Sequence, residues 1–514
     1  MDGKGALMKK SLDRENIIRD VSIFSGGTYV SQAMFFIRGF LNAKILGPAL
    51  YGLWSALNII SSYASYVQLG SLNAMNREIP YQNGRRSTQG MDKARNVTFT
   101  ICLVMNLIFS SVLIIVALLL WNRLSLNEAV GLITIGILSL TFSIYEFYRT
   151  SLIAVKRFLL ISKANVAFSF LSVILTLLFV PALKIYGVYI VGVTIPLLGF
   201  LYLWFKHPYR LRLDFDLKET SRLIKIGFPL VSIDFLESVT TSIAGMMVLF
   251  LLGKVNMGYY AVAMLAGRFL MYFPNSINRT FEPHIYQRYG ETYDITTLEK
   301  YLFKPALVMA FLFPVILAFY YTGTTFFIRH FLSKYTASIY PFFIILVARF
   351  FVSFSPTSPI FITAINKQRF LIPVFLAGIA IMAAAGLVFI NMGFGMAAVA
   401  FALSLSFFFT GSVIFVYSIN HYIKSKFKCL GYLFSLYVPL VYMVTALFFV
   451  EMLVPNSLDL FSDTLRLGIR LIILSILSLP LIYLANNKTG IVSDMLSFLK
   501  LKKFVLRKTI HPCV

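Results

Sequence analysis

The sequence predicts an all-α integral membrane protein of about 14 transmembrane helices, built as two parallel six-helix lobes followed by two further C-terminal helices. Three observations carry this. Hydrophobic residues make up 58% of the 514 and charged ones only 13%, at a mean hydropathy of +0.80, too few polar groups for a water-facing surface. Apolar stretches of about 20 residues, enough to cross a ~30 Å hydrocarbon core, recur from end to end. Third, the chain echoes itself. Residues 45–52 read Ile-Leu-Gly-Pro-Ala-Leu-Tyr-Gly and residues 251–258 read Leu-Leu-Gly-Lys-Val-Asn-Met-Gly, each closing one apolar segment and opening the next.

In chain order, a polar arm (1–20) precedes an N-terminal lobe (21–206) with stretches at 21–46, 50–72, 97–120, 126–147, 164–183 and 185–205. A C-terminal lobe (226–422) holds 226–252, 257–277, 302–321, 339–362, 370–390 and 396–419. Two additional spans, 432–454 and 465–484, occupy 430–486, and 487–514 forms a tail. Gly and Pro inside these stretches are compatible with membrane helices.

The net charge of +25 reads as topology once it is placed along the chain. The arm carries Lys4, Lys9, Lys10, Arg14 and Arg19, while the turn at 47–49 carries no charge. Arg77, Arg85, Arg86, Lys93 and Arg95 then face a connection holding only Arg123. The alternation persists to Lys424, Lys426 and Lys428, which precede an acidic turn with Asp459 and Asp463, and to the basic tail. About 35 of the 46 basic residues fall on one side and about 7 on the other, which places both termini in the cytoplasm and makes the span count even. This accounts for the charge without nucleic acid. The polar first 20 residues predict no cleavable signal peptide. Cys102, Cys429 and Cys513 are too far apart in sequence to suggest a disulfide framework or a zinc site.

The echo recurs in order. Arg157-Phe-Leu and Arg369-Phe-Leu open the fifth and eleventh spans, and Tyr81-Gln-Asn-Gly84 has a looser counterpart in Tyr286-Gln-Arg-Tyr-Gly290. Six spans separate equivalent points, so the halves share one orientation and are related by an axis along the membrane normal. That pattern is the mark of a membrane transporter made of two similar bundles.

Ionisable residues at membrane depth cost about 2.5–3.5 kcal/mol each and usually line a cavity. Arg38 lies about nine residues, or ~13 Å, before Gly47, and Lys44 sits nearer the outer surface, where its stem can snorkel. Arg268 and Arg349 fall near the middle of spans eight and ten. Asp234 and Glu237, three apart on span seven, share one face. These four cations are candidate substrate-binding residues for an anionic group, because guanidinium forks match phosphate oxygens. Asp234 and Glu237 are candidate ion-coupling residues. The competing structural reading is that Glu237 and Arg268 neutralise each other.

Other motifs carry less. Asp214-Phe-Asp216 echoes the Asp-x-Asp of metal-dependent glycosyltransferases but stands alone in a short basic loop. His207, His284, His330, His421 and His511 form no metal spacing, and no Gly-rich Lys-Ser/Thr phosphate loop is present. No metal, cofactor or catalytic residue is expected.

Leu46-Gly-Pro-x-x-Tyr-Gly-Leu-Trp54 and Asn73-Ala-Met-Asn-Arg-Glu-Ile-Pro80 resemble the polysaccharide transporter, or O-antigen (oligosaccharide-lipid) flippase, branch of the multidrug/oligosaccharidyl-lipid/polysaccharide exporter superfamily. Gly258-Tyr-Tyr-Ala261, with Pro274 and Pro283, looks like that family's second lobe. The resemblance implies movement of polyprenyl-diphosphate-linked oligosaccharide from the inner to the outer leaflet by alternating access, for cell-surface polysaccharide. The first span is also similar to lipid II flippase relatives, which implies that Arg38 and Lys44 meet the carrier's pyrophosphate. Many relatives have an Asp-Arg pair where Ala244-Gly245 stands here, so any coupling role is absent or moved, with Asp234 and Glu237 as alternatives. Implied partners are the lipid-linked glycan, membrane lipid, a glycan polymerase and glycosyltransferases. The rival readings are a cation-coupled multidrug exporter of the same superfamily and an integral-membrane glycan polymerase.

Overall fold

The computed structural model describes residues 2–209, 211–457 and 459–490, so the expected tail 487–514 lies almost wholly outside the described residues. Among the described residues the regular structure is helical, with no strand. The chain divides into two compact units, Met1–Leu265 and Ala266–Val514.

The first unit opens with α1 (Asp2–Val67), a helical run interrupted at Gly47. It continues through α2 (Ser71–Gly84), α3 (Thr88–Leu119), α4 (Leu126–Ala154), α5 (Phe158–Leu183), α6 (Ile185–Lys206), α7 (Leu217–Met247) with a π turn over Val248–Leu252, and α8 (Lys254–Leu270), whose last residues cross the unit boundary. Sequence chemistry sets several of these ends. Gly70 adopts the left-handed conformation before α2. Ser125 and Glu128 form a capping box at the start of α4, and Asp216 caps α7 by accepting from the amides of Lys218 and Glu219. Helices α1 to α6 pack into one body in which α1 lies along α5 and α4, and α7 lies against α2 and α3. Its core gathers Leu72, Met75, Ile79, Cys102, Phe147, Tyr148, Leu152 and Leu203. Buried polar groups bond between helices. Asn106 donates to Ser143 Oγ at 2.8 Å, and Ser110 donates to the Gly136 carbonyl at 2.7 Å.

The second unit contains α9 (Tyr272–Thr292), α10 (Glu299–Phe331), α11 (Ile339–Ser353), α12 (Ser358–Ala364), α13 (Leu371–Asn391), α14 (Gly395–Ile419), α15 (Lys426–Leu453) and α16 (Leu460–Thr489). Helix α10 is held by α11, α15 and α16, and α14 packs between α11 and α13. Phe350, Phe351, Phe354, Phe408, Phe415 and Tyr437 form a ring cluster in its interior. The two C-terminal helices are fastened by Asp463, which is fully buried. It accepts from Arg470 Nη2 at 3.0 Å and from the Ser457 amide at 3.0 Å, and it meets His330 Nε2 of α10 at 2.8 Å.

Among the described residues, twelve helices are long and apolar enough to cross a membrane. The number differs from the expected fourteen for two reasons. The stretches 21–46 and 50–72 lie on one helical run bent at Gly47, and the stretch 257–277 is divided between α8, of 17 residues, and α9. The expected tenth stretch, 339–362, is likewise interrupted after Ser353 and resumes as α12.

Candidate functional site

The duplicated junction has the same backbone at both copies. Gly47 takes φ 74° and ψ 171°, and Gly253 takes φ 90° and ψ 171°. This region is open only to glycine, so each copy needs that residue to redirect the chain. The second glycine of each copy does something else. A Cβ on Gly52 would lie 1.9 Å from the Lys254 carbonyl oxygen, and one on Gly258 would lie 2.0 Å from that of Pro48. The two copies therefore clasp each other backbone to backbone. At the opposite end of the same helices, Gly70 and Gly227 approach reciprocally: a Cβ on either would lie 2.3 Å or 2.0 Å from the other's carbonyl oxygen. Small residues at both ends let α1 and the α7–α8 pair come into direct backbone contact. Lys254 also forms an ion pair with Glu128 of the α4 capping box at 2.5 Å.

This clasp positions the N-terminal candidate residues. Arg38 lies on α1 with its Nε buried and without a hydrogen-bond partner. The neighbouring Gly39 packs under Leu265. Lys44, six residues on, is exposed. Asp234 and Glu237 lie on α7, where both are within electrostatic reach of the Tyr66 hydroxyl, which donates to the Asp234 carbonyl at 3.2 Å. Phe235 packs edge-on against Tyr63 and Tyr66. Arg268 and Arg349 belong to the second unit. Arg349 is 5% exposed on α11 with its guanidinium 5.5 Å from the Phe407 ring centroid, whereas Arg268 is exposed at the end of α8. Gly267 approaches Ile345, one turn before Arg349, so the two arginine-bearing helices touch.

A second polar cluster, on the same end of the first unit as Gly70, was not predicted from sequence. Glu78 is 5% exposed and is bonded by Gln82 at 2.6 Å and Arg222 at 3.1 Å, while Arg222 also grips Glu219 through two nitrogens. Burial pushes the Glu78 carboxyl up, but the bonds from Arg222 and Gln82 outweigh this and hold it below the usual carboxylate range. Lys93 meets Asp216 at 2.6 Å and, with the α7 amides, pulls its carboxyl down to about 2. Arg95, 1% exposed, binds Asp92 at 2.6 Å and lies 3.7 Å from the ring centroid of Tyr209. Glu78, Lys93 and Arg95 read as ordinary loop residues in sequence, because Arg222, Asp216 and Tyr209, which meet them, lie on other segments of the chain.

The long apolar helices among the described residues define a multi-pass membrane protein. The chain belongs to the polysaccharide biosynthesis protein family, which it matches over residues 42–339, more than half its length. Its fold is similar to that of a multidrug resistance MATE family transporter of the MOP superfamily in an inward-facing conformation. The TM-score is 0.58 at 14% identity, over 77% of this chain and 96% of the other. A MATE transporter from Vibrio cholerae aligns at TM-score 0.57 and 15% identity, over 79% and 97% of the two chains. A MOP superfamily transporter from Pyrococcus furiosus, described as having a binding pocket of reverse polarity that suggests a different function, aligns at 0.53 and 13%, over 78% and 95%. No curated protein matches the chain in sequence.

Proposed function

We propose that the protein is a flippase that carries polyprenyl-diphosphate-linked oligosaccharide across the cytoplasmic membrane by alternating access, both termini being cytoplasmic. One observation carries this reading. Arg38 stands within a long apolar helix of the first unit with its Nε buried and without a hydrogen-bond partner. A guanidinium held that way has binding capacity to spare for an anionic group, and a diphosphate matches its fork. Membership of a polysaccharide biosynthesis family supplies the glycan, and a transporter fold supplies the route. In this reading residues 21–206 and 226–422 form the rocking lobes, Arg38, Lys44, Arg268 and Arg349 receive the diphosphate, and no covalent chemistry occurs.

A multidrug exporter remains the alternative that the fold suggests, with Asp234 and Glu237 as its acidic groups. The embedded arginines favour an anionic cargo, and reversed pocket polarity is the feature named for the Pyrococcus furiosus protein. The test uses purified protein in proteoliposomes loaded with polyprenyl-diphosphate oligosaccharide. Arg38→Ala is expected to lower flipping at least tenfold while the melting temperature stays within a few degrees, and Arg38→Lys to restore part of it. Unchanged flipping by Arg38→Ala would remove Arg38 from the mechanism. Sensitivity only of cationic drug efflux, through Asp234→Asn or Glu237→Gln, would favour the exporter.

A further inference from the structure

The segment joining α6 to α7 alternates in chemistry. Leu211, Leu213, Phe215 and Leu217 are interleaved with Arg212, Asp214 and Asp216. The structure holds it by its edge. The amides of Arg212 and Asp214 donate to Asn96 Oδ1 at 3.2 Å and Thr100 Oγ1 at 2.8 Å. Asn96 and Thr100 are one α3 turn apart, about 6 Å, close to the ~6.7 Å between alternate amides of an extended chain. The acidic side is fully engaged. Asp216 binds Lys93 and caps α7, and Asp214 accepts from the Asp216 amide at 3.1 Å. The apolar side starts with Leu211 against the core and then turns outward, leaving Leu213 54%, Phe215 66% and Leu217 80% exposed.

We infer that this strap is an interfacial membrane anchor, whose apolar row dips into the leaflet at the C-terminal end of α6. Continuity with the lipid-facing helix selects lipid as the occupant. Helix α6 is one of the candidate spans and ends in exposed Trp204 and Phe205, and the row extends the same apolar surface. Charge agrees, since exposed Lys206, Arg212 and Lys218 flank the row and suit anionic headgroups. The strap is thus gripped by protein along one edge and by lipid along the other. The inference does not depend on the transported substrate.

The test places a nitroxide at each of Leu213→Cys, Phe215→Cys and Leu217→Cys, with Arg212→Cys as the off-row control. Each is made in full-length protein carrying Cys513→Ser, since Cys102 and Cys429 are buried. The protein is reconstituted in phosphatidylethanolamine–phosphatidylglycerol vesicles, and collision with oxygen is compared with collision with a water-soluble nickel chelate. The expected result is immersion of the three row positions about 5–10 Å below the phosphates, with an oxygen-to-nickel ratio roughly threefold above that at Arg212. Free nickel access at all three positions would overturn the proposal, as an open surface awaiting a soluble partner. Shielding from both reagents would also overturn it, since protein would then cover the row.

Discussion

The glycine clasp is testable by adding one methyl group to it. In Gly52→Ala the new Cβ falls 1.9 Å from the Lys254 carbonyl oxygen and must move beyond 3.0 Å, an opening of more than 1 Å between two backbones. No side-chain rotation relieves this, because the obstructing atoms are main chain. A radial gap of 0.5–1 Å already forfeits a quarter to a half of a dispersion contact, so the helix contact loses more than that along its length. Overpacking of this kind costs about 1–3 kcal/mol, opposed by up to ~1 kcal/mol of helix propensity gained on replacing glycine. The net cost of about 1–2 kcal/mol, spread over the unfolding entropy of 514 residues, predicts a fall of roughly 1–2 °C in the apparent melting temperature in detergent. Gly431→Ala on α15 is the matched control. Its Cβ meets nothing within 4 Å, so only the propensity gain remains and melting should be unchanged or slightly raised. Gly258→Ala should behave like Gly52→Ala, and the double substitution should cost less than their sum, because one displacement accommodates both methyl groups. If Gly52→Ala melts with or above Gly431→Ala, the two junctions do not touch.

Two further outcomes follow from the buried charges. Asp463→Asn should destabilise the protein by about 3–5 kcal/mol, since it strands a buried Arg470 and breaks the contact with His330; faster proteolytic cleavage between α15 and α16 would report it, and unchanged cleavage would refute it. Glu78→Gln should cost about 1–3 kcal/mol at neutral pH. The folded carboxyl titrates below its unfolded value of about 4.3, so its contribution is complete above that pH and disappears as pH falls through the lower folded pKa. Melting curves of wild type and Glu78→Gln should therefore converge on acidification, and a gap that widens toward low pH would contradict the assignment.

The apolar stretches made the helices legible, because burial in lipid demands length and hydrophobicity and both are visible in one dimension. Breaks inside helices were less so. Pro274, in the first turn of α9, and Pro356 and Pro359, after Ser353, stand at these breaks, but membrane helices tolerate proline, so the residues alone do not separate a break from a continuous span. Arg38 was legible as a charge among apolar neighbours, whereas Arg95 and Glu78 looked like members of a basic connection. Depth along a helix can be read from sequence, but the direction a side chain faces depends on how the helix is rotated against its neighbours.

By itself, the sequence determined the membrane class and the repeated glycine junction, since each follows from local residue pattern or from the hydrocarbon thickness. Only the tertiary structure decided that the two junctions interlock, that Asp463 ties α16 to α10 and to the α15–α16 connection, and that the acidic residues of the α6–α7 strap serve the protein while its apolar ones face outward. Those outcomes depend on pairings between residues up to about 200 positions apart, which periodicity does not encode.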